Sequence, residues 1–144
     1  LTGARAMFER TELIRFQHCD PAGIVFYPRY VEMINATVED WFAEAIGISF
    51  HAIHVELNVA IPAVALEVGF TAPSRIGEVL TFTLEVERLG TSSVTLKISA
   101  HHDGVARLAS KLTLVMISKD DYRPQPWPDD FRTRMTGGEI SQGG

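Results

Sequence analysis

The chain predicts an α+β domain in which an antiparallel, curved sheet wraps around one long central helix. Three observations carry that prediction: an amphipathic strand at the start, a helical period of about five turns after it, and four alternating segments separated by short breaks. Antiparallel sheets bury one face, and consecutive elements prefer short connections. A single helix is then the economical filling for the concave side. At 144 residues the chain fits one domain with enough material for a hydrophobic core.

Residues 8–17, FERTELIRFQ, set Phe8, Ile14 and Phe16 on one side and leave the other mostly polar, as in a strand with one wet face. From Pro28 the period changes. Val31, Ile34, Val38, Trp41, Phe42 and Ala45 follow three-and-four spacing, while Glu32, Asn35, Glu39 and Asp40 fall mainly elsewhere. Pro28 suits a first helical turn, where its missing N–H does no harm, and Gly47 marks the end. Met33, Ala36 and Thr37 flank the apolar stripe, which suits a helix that is partly enclosed.

A less regular stretch over 48–60 precedes the strands. In IPAVALEVGFTA, Val64, Leu66, Val68 and Phe70 alternate; in EVLTFTLEVERL, Phe82, Leu84 and Val86 point inward. SSVTLKISAHH contributes Val94, Leu96 and Ile98, and VARLASKLTLVMIS contributes Leu108, Leu112, Leu114 and Met116. The runs Pro-Ser-Arg-Ile-Gly, Leu-Gly-Thr and His-Asp-Gly are breaks of the kind that join antiparallel neighbours. The domain is expected to span 1–118. Residues 119–144 form a tail with Pro124, Pro126 and Pro128, and its glycine-rich end, the last eight or so residues, is expected to be disordered.

Composition narrows the function. A net charge of −5 leans against nucleic acid, which needs a basic surface. Cys19 is the only cysteine, which excludes an internal disulfide framework and a cysteine-cluster zinc site and fits a reducing cytoplasm. No apolar run approaches the roughly 18 residues of a membrane span, and the opening LTGARAMFERTEL lacks the apolar core of a secretory signal.

The chemistry concentrates in FQHCDPAGIVFYPRY, residues 16–30. Asp-Pro ahead of a helix is commonly a turn or cap. Here Asp20 is followed by the apolar run Ile24, Val25 and Phe26, which suggests a loop that is buried or lines something. Gly23 allows a positive φ or close approach of a ligand to the backbone. The helix then starts some seven residues after the acid, and its free N–H groups suit an oxyanion or acyl carbonyl. A carboxylate beside fixed amide donors is an arrangement for acyl transfer.

The run DPAGIVFYPRY resembles the nucleophile segment of the 4-hydroxybenzoyl-CoA thioesterases of the hotdog superfamily, and the element order is similar over about 8–118. Tyr27 matches that branch; in the related Tol-Pal-associated thioesterases this position is usually histidine and that of Phe16 usually tyrosine. The resemblance implies a hotdog fold and hydrolysis of an acyl-CoA, aromatic acyl groups included, to free acid and CoA. It implies that Asp20 is the catalytic carboxylate and that the N–H of Tyr27 polarises the thioester carbonyl. Gly23, Ile24, Val25, Phe26 and His18 would border the substrate, with Arg88 as a candidate for the CoA phosphates. That branch tends to carry consecutive cations near this turn, whereas here Arg88 is followed by none until Lys97. No metal and no cofactor are expected. Two subunits are expected to pair their sheets and share active sites, as a dimer or a dimer of dimers (a homotetramer). An acyl-ACP thioesterase and a non-catalytic acyl-CoA-binding module are the alternatives; a hotdog dehydratase would need a paired histidine motif that is absent.

Other residues have plainer readings. His18 is readable as a structural loop histidine and Cys19 as a small buried hydrophobe. His51, His54, His101 and His102 lack nearby acids or cysteines at ligand spacing. Another hotdog branch uses a helix glutamate as its carboxylate, so the resemblance makes Glu32 and Glu39 competitors of Asp20, yet their spacing suits a solvated helix face. Arg29, Arg75, Lys97 and Arg107 join Arg88 as surface cations that could meet phosphates. Trp41 and Phe42 read most simply as core.

Overall fold

A computed structural model describes residues 7–137. Its elements are β1 (Phe8–Leu13), a 3-10 turn (Phe16–His18), α1 (Tyr27–Trp41) running into a wider π-helical turn (Phe42–Ile46), α2 (Phe50–Val55), β2 (Val59–Ala60), β3 (Ala63–Phe70), β4 (Val79–Leu89), β5 (Ser93–His102), β6 (Val105–Val115), β7 (Ile117–Ser118) and α3 (Asp129–Met135). Five strands form one antiparallel sheet in the order β1-β4-β5-β6-β3, and β2 pairs with β7 separately. The α+β class expected from the sequence, a sheet around one long helix, is the one observed. Among the described residues no helix is long and apolar enough to cross a membrane.

Alternation along the central strands sets the packing. Leu80, Phe82 and Leu84 of β4, Leu96 and Ile98 of β5, and Leu108, Leu112 and Leu114 of β6 are buried. The register sets Leu84 opposite Ile98 and Leu96 opposite Leu112, so each apolar row meets the next. The intervening positions are polar and pair with one another: Thr83 Oγ1 lies 2.7 Å from Ser99 Oγ, and Thr95 Oγ1 3.0 Å from Thr113 Oγ1. Asp103 (φ 49°) and Gly104 (φ 77°) make the tight β5–β6 turn, both residues in the left-handed region that a type I′ hairpin demands.

The helix buries Tyr30, Met33, Ile34, Thr37, Val38 and Trp41, then Phe42 and Ile46 in its widened last turn. The expected stripe holds at Ile34, Val38, Trp41 and Phe42; it is rotated at its edges, since Val31 and Ala45 are only half-buried. Thr37 can lie deeper because its hydroxyl donates to the Met33 carbonyl at 2.8 Å and accepts from Arg10 Nη1 at 3.3 Å. Arg10 also pairs with Asp40 at 2.9 Å and with Glu12, tying β1 to the helix. Gly47, at φ 89°, ends the helix as its position predicts.

Five local expectations change. β1 stops at Leu13, and Phe16, expected on the inner side, is 72% exposed. The cause is the 3-10 turn, in which the Arg15 amide donates to His18 Nδ1 and the His18 amide to the Arg15 carbonyl. The alternating residues of β3 are not covered: Val64, Leu66 and Phe70 are exposed on what is an edge strand, and of the four only Val68 is half-buried. The last strand breaks at Met116, its continuation β7 leaving the large sheet to pair with β2. The irregular stretch holds α2, capped by Ser49 Oγ accepting from the Ala52 amide at 3.1 Å. Finally, the segment read as a tail docks: Trp127, Phe131 and Met135 join the core cluster, and Trp127 Nε1 donates to the Ser93 carbonyl at 3.0 Å. The disordered end expected beyond it falls on residues 138–144, outside those described.

Candidate active site

Backbone pairing builds the loop that carries Asp20. Cys19 and Val25 form an antiparallel bridge, Asp20 donates to the Ile24 carbonyl at 2.9 Å, and Phe26 donates to the His18 carbonyl at 2.9 Å. The reversal between them is closed by the Gly23 amide on the Asp20 carbonyl, also 2.9 Å. Gly23 sits at φ 82°, a conformation other residues rarely adopt, and nothing lies within 4 Å of where its Cβ would be. The loop is therefore open above Gly23, as close approach of a ligand requires.

Asp20 is half-buried, and its Oδ1 accepts from the Ala22 amide at 2.9 Å. One carboxylate oxygen thus caps the acid's own turn. The other, Oδ2, has no protein donor among the described residues. With Gln17, Cys19, Pro21, Phe26 and Arg29, Asp20 lines a depression of about 260 Å³. Helix α1 begins immediately beyond the hairpin, with Phe26 as its N-cap and Tyr27 and Pro28 in its first turn. The Tyr27 amide is one of the opening N–H groups that have no partner within a helix.

Next to that depression lies an apolar cleft of about 390 Å³ lined by Ile24, Val25, Tyr27, Tyr30, Phe70 and the 71–73 segment. Its walls are aromatic: the Tyr27 ring meets Phe26 at 5.7 Å and Phe70 at 6.4 Å, and Tyr30 lies 5.4 Å from Phe70. Loop, helix start and edge strand thus converge at one end of the sheet. The acid sits on the hairpin and Tyr27 in the helical turn that follows it, and in the single chain the two line separate depressions.

His18 stands two residues before Asp20, and its Nδ1 accepts from the Arg15 amide at 2.8 Å, so it closes the turn. Cys19 is half-buried, with its Sγ 3.7 Å from the Arg15 carbonyl. Glu32 pairs with Arg29 at 3.0 Å and Glu39 accepts from Asn35 at 2.8 Å; both lie on the exposed helix face. His54 and His102 each place Nδ1 against a backbone carbonyl, of Phe50 at 2.7 Å and Val79 at 2.8 Å. Arg88 is not near the site within one chain. The Asp20 hairpin adjoins the Val79 end of β4, and Arg88 lies nine residues along that strand, about 30 Å at strand rise.

Arg107, read from the sequence as a surface cation, is buried. It grips the Glu78 carboxylate through two hydrogen bonds, 2.9 and 3.2 Å, and also donates to the Pro73 carbonyl at 2.7 Å and to Ser74 Oγ at 3.2 Å. The hydrogen bond from Arg107, aided by the Arg75 amide, holds the Glu78 carboxyl down to about 2. Sequence reasoning missed this group, because Arg107 stands 29 to 34 residues from the partners it grips.

The comparisons with known proteins agree with one another. A family model described as the thioesterase-like superfamily matches residues 14–135. A 1,4-dihydroxy-2-naphthoyl-CoA hydrolase of Acaryochloris marina is 29% identical over 131 residues, covering 88% of this chain and 93% of that protein. Among solved structures, a thioesterase superfamily protein of Jannaschia sp. superposes with a TM-score of 0.84 at 25% identity, covering 98% of this chain and all of the other (100%). The 4-hydroxybenzoyl-CoA thioesterase of a Pseudomonas species superposes at 0.78 with 24% identity, covering 91% and 99%.

Proposed function

From a chain that belongs to the thioesterase-like superfamily, we infer an acyl-CoA thioesterase in which Asp20 supplies the catalytic carboxylate and the Tyr27 amide the oxyanion donor. The observation that carries this is the hairpin itself. It holds one oxygen of Asp20 on the Ala22 amide, leaves the other without a protein donor among the described residues, and opens directly into a helix N-terminus. Thioesters suit such a site, because the carbonyl is electrophilic and the thiolate leaves without a strong general acid. Asp20 either adds to the carbonyl, giving a mixed anhydride that water opens, or takes a proton from the attacking water. In both routes charge develops on the carbonyl oxygen, where a fixed amide contributes on the order of 3 kcal/mol.

The acyl group enters the aromatic cleft beside Tyr27, which favours a flat ring over a long flexible chain. This is in keeping with the aryl-CoA substrates named for the relatives. The uncovered edge strand β3, with Leu66 and Phe70 exposed, pairs with a second copy. A homodimer results, or a dimer of dimers, and Arg88 reaches CoA phosphates only from a neighbouring subunit. The cytoplasm is the compartment that fits, with Cys19 a free thiol.

A hydrolysis screen with benzoyl-, phenylacetyl-, short- and medium-chain acyl-CoAs, read as released thiol, tests the assignment. An aryl-CoA should turn over fastest. Negligible hydrolysis of every thioester, with acyl-CoA still bound, would make the chain a binding module instead.

A further inference from the structure

Ser74 is fully buried and holds both halves of the site at once. Its carbonyl accepts from the Val25 amide at 2.9 Å, on the hairpin arm opposite Asp20. Its hydroxyl accepts from the Tyr30 hydroxyl at 2.9 Å, and Tyr30 stands one turn along the helix from Tyr27. Behind Ser74, Arg107 donates to both the Ser74 hydroxyl and the Pro73 carbonyl. Glu78 orients the guanidinium, itself fixed by the Arg75 amide at 2.7 Å. The bridge between Ile24 and Arg75 adds a further tie from this segment to the hairpin.

Stability alone does not account for so much buried polarity. Tyr30, Ser74 and Arg107 are buried and Glu78 half-buried, and an apolar set of equal volume would serve the buried part as well, or better. Against Phe70 a phenylalanine would pack like Tyr30, so the only service of the Tyr30 hydroxyl on view is its bond to Ser74. A hydrogen-bonded network does specify geometry, because each member accepts few arrangements. Hydrolysis depends on such geometry: small misplacements of reacting groups cost large factors in rate.

We propose that Tyr30, Ser74, Arg107 and Glu78 form a positioning unit that sets the distance between the Asp20 carboxylate and the Tyr27 amide. This rests on the thioesterase reading of the hairpin. The Tyr30 ring also lines the acyl cleft, but its hydroxyl, like Ser74, Arg107 and Glu78, acts through the two elements that Ser74 joins. With its carboxyl held down to about 2 by Arg107, Glu78 stays ionised in mild acid as well as at neutral pH, so acidification to about pH 4 leaves the pair charged.

Steady-state kinetics of Tyr30→Phe, Glu78→Gln and the double variant, on the aryl-CoA that wild type hydrolyses best, test the proposal, with Asp20→Asn as a control. Tyr30→Phe should lower kcat by roughly tenfold or more, with KM within about twofold and an unchanged melting temperature. The double variant should be no worse than the poorer single one, because both act through Ser74. A wild-type kcat per folded molecule for Tyr30→Phe, or losses that multiply in the double variant, overturns the unit. Should Glu78→Gln fail to fold, Tyr30→Phe, which loses one atom, decides alone. Turnover that survives Asp20→Asn instead overturns the reading of the hairpin, and this inference with it.

Discussion

Asp20→Asn should lower kcat by roughly 10²–10⁴-fold while leaving acyl-CoA affinity within a few-fold of wild type. The amide is isosteric, and its Oδ1 can still accept from the Ala22 amide, so the hairpin keeps its shape. What disappears is the negative charge on the other side-chain position, and with it both the nucleophile and the base. Steady-state kinetics with a thiol-release readout, paired with calorimetric titration of the acyl-CoA, separates the two quantities. A variant keeping more than about a tenth of wild-type turnover would place the chemistry elsewhere, because a general base is worth at least about 10². Glu32 and Glu39 are not natural successors, as each is engaged on the exposed helix face.

The largest expected loss of stability follows Phe42→Ala, about 3–5 kcal/mol. Phe42 is fully buried where α1 widens into its last turn. Its ring meets Trp41 at 5.1 Å, Phe50 at 5.3 Å and Trp127 at 6.5 Å, so one side chain joins the long helix, α2 and the closing segment. Truncation removes the buried area and those aromatic contacts together, and a cavity between three elements collapses poorly. Urea unfolding at one fixed protein concentration measures it, since association with a second copy would make the midpoint concentration-dependent. A loss below about 1 kcal/mol would mean that Phe42 is not at this junction.

The fold was readable where a regular period ran long enough. The helix from Pro28 to Gly47 and the inner rows of β4, β5 and β6 each repeat their pattern through several turns or pleats, and the structure has them there. Alternation failed in β3, because period two says that two faces differ, not that anything covers the apolar one. Helices α2 and α3 span only six and seven residues, too short for a helical period to register. Phe16 misled because one apolar residue beyond Ile14 continued the strand's rhythm after the backbone had already turned.

For the site, the division is between local and distant. Asp20, Gly23 and Tyr27 fall within eight residues, so a tight reversal followed by a helix start could be anticipated from the sequence, whereas Asp20 and Tyr27 line separate depressions of the single chain. The Tyr30–Ser74 bond and the Arg107–Glu78 pair join residues whose nearness only strand register creates. Arg88 shows the converse: a suitable cation by type, placed at the other end of β4 by the same register.

The central claim is spatial, and a crystal structure of the Asp20→Asn variant with an unhydrolysed aryl-CoA measures it directly. The thioester oxygen should sit about 3 Å from the Tyr27 nitrogen, with the side chain at position 20 about 3–3.5 Å from the carbonyl carbon or from a water poised on it. A thioester bound with its carbonyl turned away from the helix start, beyond reach of position 20, would contradict it.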